Sequence, residues 1–152
     1  MRVAVGADHA GFALKERVKA ELARLGHEVV DVGTSSGDVS VDYPDFTIPV
    51  GEKVARGEVE RGVVVCATGI GASIAANKVA GVRASVVTSE ETARLTRTDN
   101  DSNVLALGGR TTADPADALR WLRVWLETPF AGGRHARRVD KIRDYETRHA
   151  GT

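Results

Sequence analysis

The chain has 152 residues, 42% hydrophobic and 28% charged, enough for one soluble domain, residues 1–152, around one sizeable core. Lysine plus arginine equals aspartate plus glutamate at 21 each, so no global charge field argues for nucleic acid or an anionic membrane as partner. The lone cysteine excludes an intrachain disulfide and fits a reducing compartment; the opening MRVAVGADHAGF does not read as a signal peptide, and no stretch is long and apolar enough to span a bilayer.

Residues 2–6 form a short β-branched run ending in Gly-Ala-Asp-His and are expected as a buried strand. Residues 12–25 follow with Leu14, Val18, Leu22 and Leu25 at helical spacing, and Gly26 supplies the stop. A second strand is expected over 27–32, a loop over 34–42, and a helix over 44–56 whose first half Pro49 weakens. Residues 62–65 read as a third strand running into Cys66-Ala-Thr-Gly-Ile-Gly71, with a short helix over 72–79. A fourth strand is expected over 82–87. A helix capped by Ser89 then runs to about residue 98, and a fifth strand covers 103–107. Asp114-Pro115 opens a helix to about 127, and after a break at 129–133 a charged helix covers 135–148.

Strands alternating with helices at this spacing imply a five-stranded parallel sheet with helices on both faces, an α/β three-layer sandwich. Ligands of such sheets bind beyond the carboxyl ends of the strands, where all the chemically interesting residues are expected. The last helix is as readily an exposed charged face as a subunit contact.

The strongest chemical signal is Cys66-Ala-Thr-Gly-Ile-Gly-Ala-Ser-Ile-Ala-Ala-Asn-Lys78, a strand, a glycine turn and a helix start. Glycines allow tight turns and close approach by a ligand, and free N–H groups there can hold an anion. A thiolate beside such donors is a base next to an oxyanion hole, the arrangement that enolisation beside a carbonyl requires. Taken alone, Cys66 could equally be a small buried hydrophobe and the turn a plain connector. Asp8-His9 could bind sugar hydroxyls and phosphate, or be a helix cap and a surface histidine. Arg110, Arg134 and Arg138 could hold phosphate or form a solvated basic face, the reading preferred for Arg137. Tyr43 could line a pocket, although a tyrosine before proline is often structural.

Together these segments resemble the family of type B ribose-5-phosphate isomerases and galactose-6-phosphate isomerase subunits. The match lies in Gly6-Ala-Asp-His-Ala-Gly-Phe12, Asp42-Tyr-Pro44, Cys66 through Lys78, Gly81-Val-Arg-Ala84, Asn100 through Arg110, and Gly132-Gly-Arg-His135. The segments follow family order over nearly the whole chain. The resemblance implies a Rossmann-like fold, no cofactor, no metal, and a cytoplasmic homodimer, sometimes paired into tetramers, with active sites and the last helix at the interface. It implies Cys66 as the base that moves a proton between C1 and C2, with Thr68 assisting at the oxygens. Gly69, Ile70, Gly71, Ala72 and Ser73 would form the anion hole for the enediolate. Asp8, Tyr43 and Asn100 would touch hydroxyls, and His9, Arg110, Arg134 and Arg138 would bind phosphate, some across the interface.

Two departures stand out. Ala67 follows the cysteine where many members have glycine, which would strain the loop if that residue needed a positive φ. Asp99 occupies the place of a histidine thought to open the furanose ring and is the candidate catalytic acid–base group there, although a free carboxylate titrates near ~4 against ~6.5 for imidazole; His9 or His135 taking over that role is the alternative. Another subgroup uses a glutamate base at a later position, which is Ala72 here. The leading expectation is interconversion of ribose 5-phosphate and ribulose 5-phosphate. A tetrose-phosphate isomerase is the alternative, because a tetrose 4-phosphate closes no furanose and needs no opener. A non-catalytic sugar-phosphate-binding module is a further alternative, disfavoured because binding alone needs no base. A nucleotide-binding module is weaker still, since no nucleotide motif is present.

Overall fold

The computed structural model describes residues 1–151. The elements are β1 (Arg2–Ala7), α1 (Phe12–Arg24), β2 (Glu28–Gly33), α2 (Pro44–Ala55), β3 (Arg61–Cys66), α3 (Ile70–Ala76), β4 (Ala84–Val86), α4 (Glu90–Thr98), β5 (Val104–Gly108), α5 (Pro115–Glu127) and α6 (Arg134–Arg148). The strands form one parallel sheet in the order β2-β1-β3-β5-β4. The chain winds outward through β2, then crosses to β3, so the order reverses between β1 and β3. Strand ends at such a switch point splay their loops apart and leave a crevice.

Alternation along the strands divides the core in two. Val3, Val5, Val63, Val65, Leu105 and Leu107 face α1, α4 and α5, where Leu14, Leu22, Leu122 and Trp125 complete a buried cluster. Ala4, Val64, Cys66, Val104 and Ala106 face α2 and α3, meeting Val50, Ala72 and Ala76. Parallel strands buried on both sides read as unbroken apolar runs, as these do. The Cys66 side chain therefore points to the α2–α3 face.

Local chemistry sets the helix ends. Ser89 and Thr92 form a reciprocal capping box at α4, and the Asp114 carboxylate accepts from Ala116 N–H at 2.9 Å beside Pro115 at α5. Pro49 does not break α2. Its lost hydrogen bond is outweighed by the buried face of Thr47, Val50 and Gly51.

Three expected boundaries shift. Helix α3 begins at Ile70 rather than 72, because Gly69 turns the chain at φ +80°. It ends at Ala76 rather than 79, because the Asn77 side chain brackets Ala84, accepting from its N–H at 2.7 Å and donating to its carbonyl at 2.9 Å. Strand β4 starts at Ala84 rather than 82, since Arg83 N–H is taken by the Asn103 side chain at 2.8 Å. Helix α6 buries only Val139 and leaves Ile142 and Tyr145 exposed. It is tied to the turn after α3 by Gly81 N–H donating to the Glu146 carboxylate at 2.9 Å.

Candidate active site

The expected site residues divide between two edges of the sheet. Asp8 and His9 follow β1, Cys66 to Ser73 follow β3, Arg110 follows β5, and Tyr43 caps α2; these gather at the carboxyl edge. Asp99 and Asn100 follow α4 and precede β5, and Arg134 and Arg138 open α6 after α5 has run back along the sheet. They lie at the amino edge. This corrects the expectation that every such residue sits beyond the carboxyl ends: the last two helices carry the chain back before delivering them. On β3, Gly62 pairs with Val104 and Cys66 with Gly108, so the edges stand four residue steps apart. That is about 13 Å.

The carboxyl edge is built from main chain. Gly69 N–H donates to Cys66 Sγ at 3.1 Å, and Cys66 is 4% exposed. Gly69 can make this turn because its φ of +80° suits a residue without Cβ. Ala67 carries no positive φ; Asp101 is the only non-glycine residue among those described that does, so the alanine after the cysteine is unstrained. Ile70 N–H donates to Thr68 Oγ1 at 3.1 Å, and Ser73 N–H to Gly69 carbonyl at 3.0 Å. Among the described residues the N–H groups of Gly71 and Ala72 meet no acceptor and remain available to an anion. The Tyr43 ring lies against Gly71, where a Cβ would stand 2.5 Å from its Cζ. Any larger residue at 71 would displace the ring. The Ala72 side chain is core, so its share in the site is its backbone.

Neighbouring loops brace this turn. Gly109 N–H donates to Cys66 carbonyl at 2.8 Å and Arg110 N–H to Ala67 carbonyl at 2.9 Å. Asp8, 7% exposed, accepts from Gly11 N–H at 2.9 Å, so the buried carboxylate also holds its own turn. Val41 N–H, which can only donate, meets His9 Nδ1 at 3.1 Å. The same nitrogen also stands 3.2 Å from the Val41 carbonyl, so both main-chain groups of Val41 hold the ring in place. The Tyr43 hydroxyl and the Arg110 guanidinium have no hydrogen-bond partner among the described residues.

The amino edge is built from charges. Arg97, 5% exposed, donates to the Asp101 carboxylate at 2.9 Å, to Ser102 carbonyl at 2.6 Å and to Thr128 carbonyl at 3.1 Å. Arg83 reaches the carbonyls of Asn100 and Asp101 at 3.1 and 3.0 Å. Burial holds the Arg83 guanidinium below its ordinary pKa, and burial with Arg97 nearby pushes Arg61 down to about 10. This clasp fixes the loop that presents Asp99 and Asn100. Asp99 accepts from Thr98 Oγ1 at 2.8 Å and faces His135 Nε2 at 3.5 Å, an ion-pair distance. Arg134 and Arg138 are exposed and have no ion-pair partner among the described residues. The clasp was missed in the sequence, although the four-residue spacing of Arg97 and Asp101 could have revealed it. Among the described residues no three His, Cys, Asp or Glu side chains converge as metal ligands, and no helix is long and apolar enough to cross a membrane.

A model of the family described as "Ribose/Galactose Isomerase" matches residues 3–142. Ribose-5-phosphate isomerase B of Escherichia coli is 44% identical over 147 residues, covering 97% of each chain. Among solved structures, ribose-5-phosphate isomerase B of Clostridium thermocellum superposes with a TM-score of 0.95 at 47% identity, covering 99% of this chain and 100% of that one. The Mycoplasma genitalium ribose-5-phosphate isomerase B, solved with bound ribulose-5-phosphate, gives 0.92 at 39% identity, covering 96% of each.

Proposed function

The chain belongs to the ribose/galactose isomerase family, and on that premise we propose that it is an aldose–ketose isomerase interconverting ribose 5-phosphate and ribulose 5-phosphate. The observation that carries the reading is the Cys66 thiol, held by Gly69 N–H at 3.1 Å beside the unsatisfied N–H groups of Gly71 and Ala72. A base stands next to anion donors on a backbone that cannot rearrange. Cys66 takes the proton from C2 of the open-chain aldose, the carbonyl oxygen becomes an enediolate oxygen facing those donors, and the proton returns to C1. Thr68 passes the proton between the two oxygens. Asp8, Tyr43 and Asn100 take the hydroxyls; His9, Arg110, Arg134 and Arg138 take the phosphate. Burial of Cys66 keeps bulk water from the carbanion-like intermediate. A cytoplasmic setting fits a reaction that needs this thiol reduced.

Two edges about 13 Å apart cannot serve one small sugar within one chain. A homodimer resolves this, with the amino edge of one copy over the carboxyl edge of the other. Exposed Ile70 and Ile74 on α3 and Ile142 and Tyr145 on α6 supply apolar surface for that contact. The test is a panel of tetrose, pentose and hexose phosphates with their unphosphorylated sugars, assayed on the purified protein together with its mass in solution. Fastest turnover of ribose 5-phosphate by a dimer is expected. A tetrose phosphate turned over faster would move the substrate, and an active monomer would refute the shared site.

A further inference from the structure

An aldopentose 5-phosphate in water is mostly a closed furanose, and no enediol can form until its ring opens. Opening needs one proton taken from O1 and one delivered to the ring oxygen. Cys66 is buried beneath the Gly69 turn and committed to carbon, so another acid–base group must do this.

Imidazole is the side chain suited to that exchange near neutral pH. The chain has four histidines. His27 packs its Nδ1 against the N-terminal amine at 3.1 Å, at the start of β2. His149 stacks on Tyr145 at the far end of α6. His9 has Nδ1 engaged by both main-chain groups of Val41, at the end of the sheet opposite Asp99. His135 differs from all three. It stands in the first turn of α6 between Arg134 and Arg138, its side chain is 16% exposed, and its Nε2 faces a carboxylate oxygen of Asp99 at 3.5 Å. Asp99 is itself held by Thr98 Oγ1 at 2.8 Å, on a loop anchored by Arg97 and Arg83. The Asp99 carboxylate on the Nε2 side orients the ring and leaves Nδ1 as the nitrogen open to a substrate.

We propose that His135, positioned by Asp99, opens the furanose ring of the substrate bound at the partner's Cys66 edge; this rests on the isomerase and homodimer reading above. Nδ1 of His135 takes the proton of the O1 hydroxyl. The O1–H electron pair becomes the second bond of C1=O, the bond from C1 to the ring oxygen breaks with its pair going to that oxygen, and Nδ1 returns the proton there. The products are the free aldehyde, a hydroxyl at C4 and a regenerated neutral histidine. Asp99 never accepts the substrate's proton, so the replacement of an imidazole by a carboxylate at position 99 leaves the chemistry in place and moves it one side chain along.

The test measures the initial rate of ribulose 5-phosphate formation from ribose 5-phosphate against enzyme concentration, for wild type, His135→Asn and Asp99→Asn. Wild type should rise in proportion throughout. In His135→Asn the rate should level off at the spontaneous opening rate, because added enzyme cannot speed a step in solution; its rate per enzyme should fall about 10²-fold or more at high enzyme. Asp99→Asn should bend the same way with a loss of roughly tenfold, since it only positions the ring. With ribulose 5-phosphate as substrate, open-chain because its O5 is esterified, all three should stay proportional to enzyme. A His135→Asn variant that stays proportional on ribose 5-phosphate overturns the proposal, as does one inactive in both directions, or a wild type that itself levels off. A wild type that isomerises no aldose phosphate refutes the isomerase reading instead.

Discussion

At the carboxyl edge of the sheet the proposed working groups are main-chain N–H donors and one buried thiol, with Asp8, His9, Tyr43 and Arg110 around them; at the amino edge they are side chains alone. The turn after β3 needs no mobile charge of its own, because glycine-permitted turns aim dipoles at one spot and neighbouring loops lock them through Gly109 and Arg110 N–H, with Asp8 and the Arg110 guanidinium beside it at the same edge. In the proposed reading the second edge meets a doubly charged ligand with guanidinium groups that the single protomer leaves exposed. It therefore spends its order on the Arg97–Asp101–Arg83 clasp, leaving Arg134 and Arg138 exposed. Fixed dipoles suit a reaction whose charge appears only in passing, whereas free cations suit a charge the ligand always carries.

The contrast can be broken at either edge. Cys66→Ala should lower kcat by about 10²–10⁴-fold with substrate affinity nearly unchanged, since Ala fills most of the space and only the base is lost. Turnover within a factor of two of wild type, measured on the best substrate, would remove the thiol from the mechanism. Arg134→Ala should act on the Michaelis constant, raising it roughly tenfold or more for ribose 5-phosphate and little for ribose. Equal losses on both sugars would make Arg134 structural.

Asp101→Ala attacks the clasp itself. It leaves buried Arg97 without its carboxylate and puts alanine at φ +48°. A loss of about 2–3 kcal/mol in chemical unfolding is expected, with a raised Michaelis constant in the surviving fold. An unchanged unfolding midpoint would show the clasp to be redundant. Glu21, which belongs to neither edge, supplies the control. The Arg24 guanidinium, then Arg123 on α5, hold its carboxyl down to about 2. Its contribution is therefore complete above the ordinary carboxylate range, near ~4.5, and lost as the pH falls toward 2. Glu21→Gln should cost about 1–2 kcal/mol at neutral pH and progressively less as the pH falls to ~2 and below, with kinetics untouched at neutral pH. A kinetic change at neutral pH would show that α1 communicates with the site.

Much of this was legible in the sequence. The five strands and six helices follow from apolar runs and from caps such as Ser89 and Asp114, whose effects are local. Cys66, Thr68 and Asp8 could be placed together because each follows a strand of one parallel sheet. The separation of Asp99, Asn100, Arg134 and Arg138 from them was equally implicit in chain order, since each follows a helix rather than a strand, but motif reading groups residues by chemistry and ignores which end they reach. The ends of α3 and β4 were not legible, because the side chains of Asn77 and Asn103 set them, reaching 7 and 20 residues along the chain. The facing of Asp99 and His135 joins residues 36 apart, which no local pattern encodes.

The proposed dimer, with its site divided between opposite edges, would have a genetic consequence. A chain lacking the thiol and a chain lacking both Arg134 and Arg138 would be defective for reasons that sit in different halves of that pocket. Expressed in one cell they would pair, and each mixed pair would hold one doubly defective pocket and one assembled wholly from intact halves. About a quarter of all pockets would then work, as random pairing makes half the pairs mixed. Two recessive loss-of-activity alleles would complement one another within a single gene. A chain defective in both halves would instead poison every partner it met, because neither pocket of such a pair is complete.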